Sequence, residues 1–229
     1  MKLERHRLLR KAPWFGLLAA SVLVLVLLIA NRGVAQTAGT GARVTLSELV
    51  PIPLRSGVNQ IERFAPDGRN ALIILSWREN GNAHAYDLFL VLLPSRLGAT
   101  DWNVVGVDFT MPDRQFEDTI RDAPHTGDDM VRSVRFVRGR LNGKPATLLL
   151  AATRELSDDG IPAPSLVNFD VFVLQQSQGD VGVTRDYFSQ IARHRSTSMF
   201  CNAEVALSAQ FALPIRRQRD WPNTPSGCP

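Results

Sequence analysis

Apolar residues in this chain fall mostly at alternate positions or in short unbroken runs, and both patterns predict strands. Val58 to Phe64 (VNQIERF) alternates imperfectly, and Pro66-Asp67-Gly68 after it is a turn signal. Ala71 to Trp77 (ALIILSW) has the β-branched and aromatic character of a buried strand. Arg78 to Ala83 carries Asn80-Gly81, a hairpin signal, and Tyr86 to Leu93 (YDLFLVLL) returns as the partner strand. Trp102 to Phe109 (WNVVGVDF) predicts one more strand, and the polar, acidic stretch Met111 to Asp129 reads as a long loop. Val134 to Leu141 leads into a second hairpin signal, Asn142-Gly143, with Thr147 to Thr153 (TLLLAAT) as its partner; Leu166 to Leu174 (LVNFDVFVL) predicts a half-buried strand.

The helical period is concentrated late. Asn202 to Leu213 (NAEVALSAQFAL) has apolar residues at helical spacing, Asn202 is placed to cap it, and Pro214 stops it. The expected fold class is therefore mainly β. A single antiparallel β-sandwich-like domain, with its strands over about 44–175 and a C-terminal helix, occupies residues 44–213, and an irregular tail covers 214–229.

The first 35 residues break this pattern. Lys2, Arg5, Arg7, Arg10 and Lys11 precede a 17-residue apolar run, Trp14 to Ala30. Gly33-Val34-Ala35 then offers small residues at both positions that a signal peptidase reads. Residues 1–35 are expected to be an export signal, either cleaved after Ala35 or retained as an inner-membrane anchor, since the run is just long enough to span a bilayer. Residues 36–43 (QTAGTGAR) read as a flexible linker. The globular part is accordingly expected in the periplasm or outside the cell.

The leader also explains the charge. The chain has 26 Lys and Arg against 22 Asp and Glu, with a pI of about 9.6. Six of those bases and one of the acids lie in residues 1–35, leaving 20 bases against 21 acids. A near-neutral domain lacks the electrostatic footprint of a nucleic-acid binder. The two cysteines, Cys201 and Cys228, form an even pair in an oxidising compartment and are expected to be disulfide-bonded.

No specific catalytic motif occurs. There is no Gly-x-Ser-x-Gly elbow and no Ser-x-x-Lys, and His84, His125 and His194 do not have zinc-ligand spacing. Asp67-Gly68-Arg69-Asn70 resembles half a calcium loop but lacks the ladder of oxygen ligands. No cofactor and no metal are expected. The segment Glu79 to Asp87 concentrates Glu79, Asn80, Asn82 and His84 between two rigid strands, and these four are the ligand-binding candidates; Asn82 and His84 can equally brace the turn.

One block extends the reading. Gly57-Val58-Asn59, Asp67-Gly68, the apolar strand Ala71 to Ser76, Arg78-Glu79-Asn80 with Asn82-Ala83-His84, and the aromatic strand Tyr86 to Val91 resemble the CarG-like carbapenem intrinsic-resistance proteins. Thr126-Gly127, Leu148 to Asp159 and Phe200-Cys201-Asn202 are similar too, so the resemblance covers about residues 55–213. It departs from the family in the longer leader and in the extension after Pro214. It implies a small exported β-protein that binds or shields, and that protects against a carbapenem without destroying it. The expected function is thus an exported, non-catalytic binding or protective protein, with a small molecule or an envelope protein as partner. The alternatives are an exported hydrolase built around Glu79, His84, His125 and Asp128, and a structural envelope protein held by its leader through residues 14–30.

Overall fold

The computed structural model describes residues 44–80, 85–96, 100–109, 115–123, 130–155, 163–179 and 182–216. The leader, the linker, Asn82, His84, His125, Asp128 and Cys228 lie outside them. The described residues belong to one compact unit and are mainly β. Their strands are β1 (Leu46–Pro51), β2 (Gly57–Ile61), β3 (Ala71–Arg78), β4 (Tyr86–Pro94), β5 (Trp102–Val104), β6 (Gly106–Phe109), β7 (Gln115–Glu117), β8 (Ile120–Arg121), β9 (Arg132–Leu141), β10 (Lys144–Arg154), β11 (Val167–Gln176) and β12 (Asp186–Arg195). A helix, α1 (Ala203–Phe211), follows them.

Two sheets pack as a sandwich. The larger runs β1-β9-β10-β11-β12-β6-β7 and the smaller β2-β3-β4-β5, with β8 also paired to β4. The pairings are antiparallel except β12 with β6, which is parallel. Facing side chains of the two sheets make the main core, including Ile73, Phe89, Leu93, Phe136, Phe172 and Phe188, with Phe64 added from the β2–β3 connection. The larger sheet also has its second face covered: Leu148, Leu150, Phe169 and Val171 pack against Ala203, Ala206, Leu207 and Phe211 of α1. That double coverage explains why Leu148 to Ala152 of β10 are buried without interruption, where a sheet with one wet face would alternate.

Local signals placed several elements correctly. Asn142 and Gly143 both adopt positive φ, 50° and 79°, as the tight β9–β10 turn requires. The Asn202 side chain accepts from the N–H groups of Glu204 and Val205 and so caps α1. Three expectations need correction. The single strand expected over Trp102 to Phe109 is two: the chain breaks at Val105, so that β5 pairs with β4 in the small sheet and β6 with β12 in the large one. The expected loop Met111 to Asp129 contributes two short strands: β7 folds back antiparallel on β6 just before it, and β8 pairs with β4, more than 30 residues earlier. The strands do not end at about 175, since β12 follows at 186–195; it and β1 carried no strand signal, because Ser, Glu, Gln and Arg interrupt their apolar positions.

Among the described residues no helix is long and apolar enough to cross a membrane. Cys201 is buried just before α1, and its expected partner lies outside the described residues.

The sandwich assigns Phe172 to the inter-sheet core, fully buried and edge-on to Phe109 at 5.0 Å between ring centroids. Phe172→Ala is expected to lower unfolding free energy by about 3–5 kcal/mol in a urea titration. The exposed Trp102, truncated in the same way, should change it by less than about 1 kcal/mol.

Candidate functional site

The cleft of interest begins where β1 leaves the large sheet. β1 follows β9 only as far as Pro51 opposite Val137, and Ile52 N–H makes a last bond to Phe136 O at 2.9 Å. The chain then turns through Pro53, Leu54 and Ser56 toward the small sheet. On the other side, Pro214 to Arg216 returns from the end of α1. Between these two segments lies a cavity of about 370 Å³, floored by Leu75, Asp87 and Phe89 of the small sheet and by Val134, Arg135 and Phe136 of β9. That volume is at the lower end of ordinary small-ligand sites, and the mixture of apolar wall with a few charges is typical of them.

The charges are held by a buried network. Glu204, in the first turn of α1, is fully buried. Its carboxylate accepts from Ser133 Oγ at 2.5 Å, from the backbone N–H of Arg216 at 2.6 Å and from the Arg135 guanidinium. The Arg216 guanidinium donates to Asp122 Oδ2 at 2.6 Å, stands 4.0 Å from Asp87 and lies over the Phe89 ring at 5.8 Å. Asp122 also accepts from the backbone N–H of Asp87 at 3.0 Å. Arg216 therefore joins the helix layer to the small sheet across the edge of the large one.

Burial sets the protonation of this network. Asp122 is pushed up to about 6, first by loss of solvent and then by the neighbouring Asp87, with Arg216 opposing. Arg135 is pushed down to about 9 by burial and by the like charge of Arg216, with Asp122 opposing.

The edge of β9 has one further feature. Phe136 turns its carbonyl to Ile52, and Arg132 exchanges bonds with Ala123, accepting at 2.9 Å and donating at 3.3 Å. Residues two apart in a strand present their N–H and C=O to the same side. Val134, between them, therefore presents both groups to this edge, and neither has a partner among the described residues. Val134 is 1% exposed, so these are buried backbone groups, which native structures rarely leave unpaired.

Of the sequence-predicted site residues, Glu79 is exposed at the end of β3 and Asn80 is half-buried beside it; neither lines the cleft. Asn82 and His84 lie outside the described residues. His194 is on the helix side of the large sheet, stacked on Phe169 at 5.0 Å, where burial lowers its pKa. Asp67 is claimed by arginines: Arg69 Nε donates to it at 2.8 Å and Arg96 also pairs with it, while Arg69 reaches on to Asp186 at 2.7 Å. No cluster of three or more His, Cys, Asp or Glu that could hold a metal occurs among the described residues. Sequence reasoning missed Glu204, Asp122, Arg135 and Arg216, which are drawn from four separate stretches. A charged residue on the apolar-patterned helix, Glu204, was the one visible anomaly.

No family model matches the chain, and no curated protein matches it. A solved structure, the crystal structure of CarG, superposes with a TM-score of 0.54 at 19% identity, covering 69% of this chain and 92% of that one. The chain shares its fold with CarG. At this identity the likeness to CarG is a distant structural relationship, and it supports the fold half of the resemblance read from residues 55–213.

Two outcomes follow from the network. Glu204→Ala strands Arg135, Ser133 and the Arg216 N–H together, so unfolding free energy should fall by about 3–5 kcal/mol in chemical denaturation. Asp122 holds its proton more tightly folded than unfolded. Its ionisation therefore opposes folding as pH rises from about 4 to about 6. Asp122→Asn should remove a fall in stability of the order of 3 kcal/mol over that window, read as thermal midpoint against pH for both proteins. An unchanged difference between variant and parent across pH 4–6 would contradict the assignment.

Proposed function

We propose that this protein is an exported, non-catalytic binding protein, and that its ligand site is the cleft between Pro51–Ser56 and Pro214–Arg216. The observation that supports this reading is the cleft itself. It places apolar side chains (Ile52, Leu54, Phe89, Phe136 and Ile215) beside the Arg135 and Arg216 guanidiniums in a space of about 370 Å³. Each of those guanidiniums is already oriented by a buried carboxylate, Glu204 or Asp122. A ligand entering there meets charges whose positions are fixed before it arrives, which lowers the ordering cost of binding.

The resemblance to CarG-like proteins supplies the protective role, in which a cell-envelope target is shielded from a carbapenem while the drug is left intact. Export rests on the leader, with the domain facing the periplasm. A disulfide between Cys201 and Cys228 would fasten the tail behind Arg216 to the start of α1.

Full-length protein titrated with a carbapenem tests this reading. Calorimetry should show saturable binding, and the β-lactam absorbance should stay constant over hours. Ser56→Trp, which places a ring in the cleft mouth from an exposed position, should abolish the heat of binding while the thermal midpoint moves by only about 2 °C. Loss of β-lactam absorbance would establish the hydrolase reading in its place. Neither binding nor turnover would leave the structural envelope role.

A further inference from the structure

We infer that the cleft takes a short, peptide-like ligand carrying a carboxylate, one residue of which pairs with the edge of β9 at Val134, between Ile52 and Ala123, while its carboxylate meets Arg216. The inference rests on the cleft being a binding site and goes on to name the chemistry of what fills it.

Three observations converge on that chemistry. The first is the gap in the sheet edge. The edge of β9 is paired at Phe136 by Ile52 and at Arg132 by Ala123, and Val134 between them keeps a buried N–H and C=O without partners among the described residues. A donor and an acceptor on one strand residue are satisfied together by one residue of an added antiparallel strand, which exchanges both bonds with it. A purely apolar ligand would leave both groups unpaired, so the slot selects for an amide.

The second is the wall. Leu54, Leu75, Phe89 and Phe136 line the same cleft, and side chains of an added strand point alternately to either side of its backbone. One apolar side chain of the ligand thus faces this wall. The third is charge. Arg216 lines the cleft and retains some exposure, with its guanidinium shared between Asp122 and Asp87 at 2.6 and 4.0 Å. A planar guanidinium with five donors can hold a carboxylate in addition to Asp122.

The experiment is an NMR titration of full-length labelled protein with N-acetyl-Ala-Ala-Phe as the free acid. Its C-terminal amide and a series N-methylated at one amide at a time serve as comparisons. The Val134 amide resonance should shift, and its hydrogen exchange should slow at least about tenfold in the complex. One member of the N-methylated series should bind about tenfold more weakly, as should the C-terminal amide. Arg216→Gln should erase the difference between free acid and amide. Signals of Leu54, Phe89 and Phe136 that shift while the Val134 amide does not would overturn strand addition and leave the cleft as a binding site. No shift at any cleft residue with any of the peptides would overturn the peptide-like ligand class, and the carbapenem titration then decides separately whether the cleft binds.

Discussion

A single carboxylate, that of Glu204, fixes the relation of the three layers in this fold. Charge without solvent is tolerated only when every lone pair has a donor, and Glu204 obtains its donors from separate elements: Ser133 and Arg135 on β9, and the backbone of Arg216 beyond α1. Its place in the first turn of α1 also sets negative charge at the positive end of the helix. The helix consequently has little freedom to slide over the large sheet. The segment that follows it is delivered to one corner of the sandwich, where the Arg216 side chain reaches the small sheet through Asp122.

The cleft is a consequence of that corner. If β1 continued along β9, the large sheet would have a sealed edge there. Instead β1 carries a register irregularity between Ser47 and Val50, and the prolines at 51 and 53 remove two backbone donors as the chain departs. The edge strand is shortened, and shortening leaves Val134 behind. Apolar wall, oriented guanidiniums and backbone groups without partners among the described residues thus meet at one place for one reason: two segments, Pro51–Ser56 and Pro214–Arg216, approach the sheet edge without completing it.

The likeness to CarG concerns the arrangement of strands, and it covers most of that structure. Sequences can diverge to 19% identity on one scaffold because a sandwich asks chiefly for alternation, turns and volume. Function is carried by sites placed on the scaffold. What distinguishes this chain is therefore sought in the buried ionic corner and in the cleft beside it.

How much of this was legible in the sequence depended on range. Asn142-Gly143 announced the β9–β10 turn and Asn202 announced the start of α1, because both act on their own backbone within a few residues. The runs at Ala71 to Trp77 and Tyr86 to Leu93 announced β3 and β4 because burial leaves a local apolar record. The break at Val105 left no such record: two strands in different sheets read as one apolar stretch. Nor could the pattern of β9 show which of its arginines goes inside. Arg135 looks like the polar half of an alternation until α1 covers that face of the sheet and supplies Glu204. The turn around Glu79 and Asn80 drew notice because its polar residues adjoin in sequence, whereas the cleft is assembled from segments more than 150 residues apart. Sequence by itself determined the class of fold, its tight turns and its capped helix, since those depend on local propensity and on burial. Only tertiary structure decided which charges are buried together and where a strand edge is left open, because both depend on which distant segments meet.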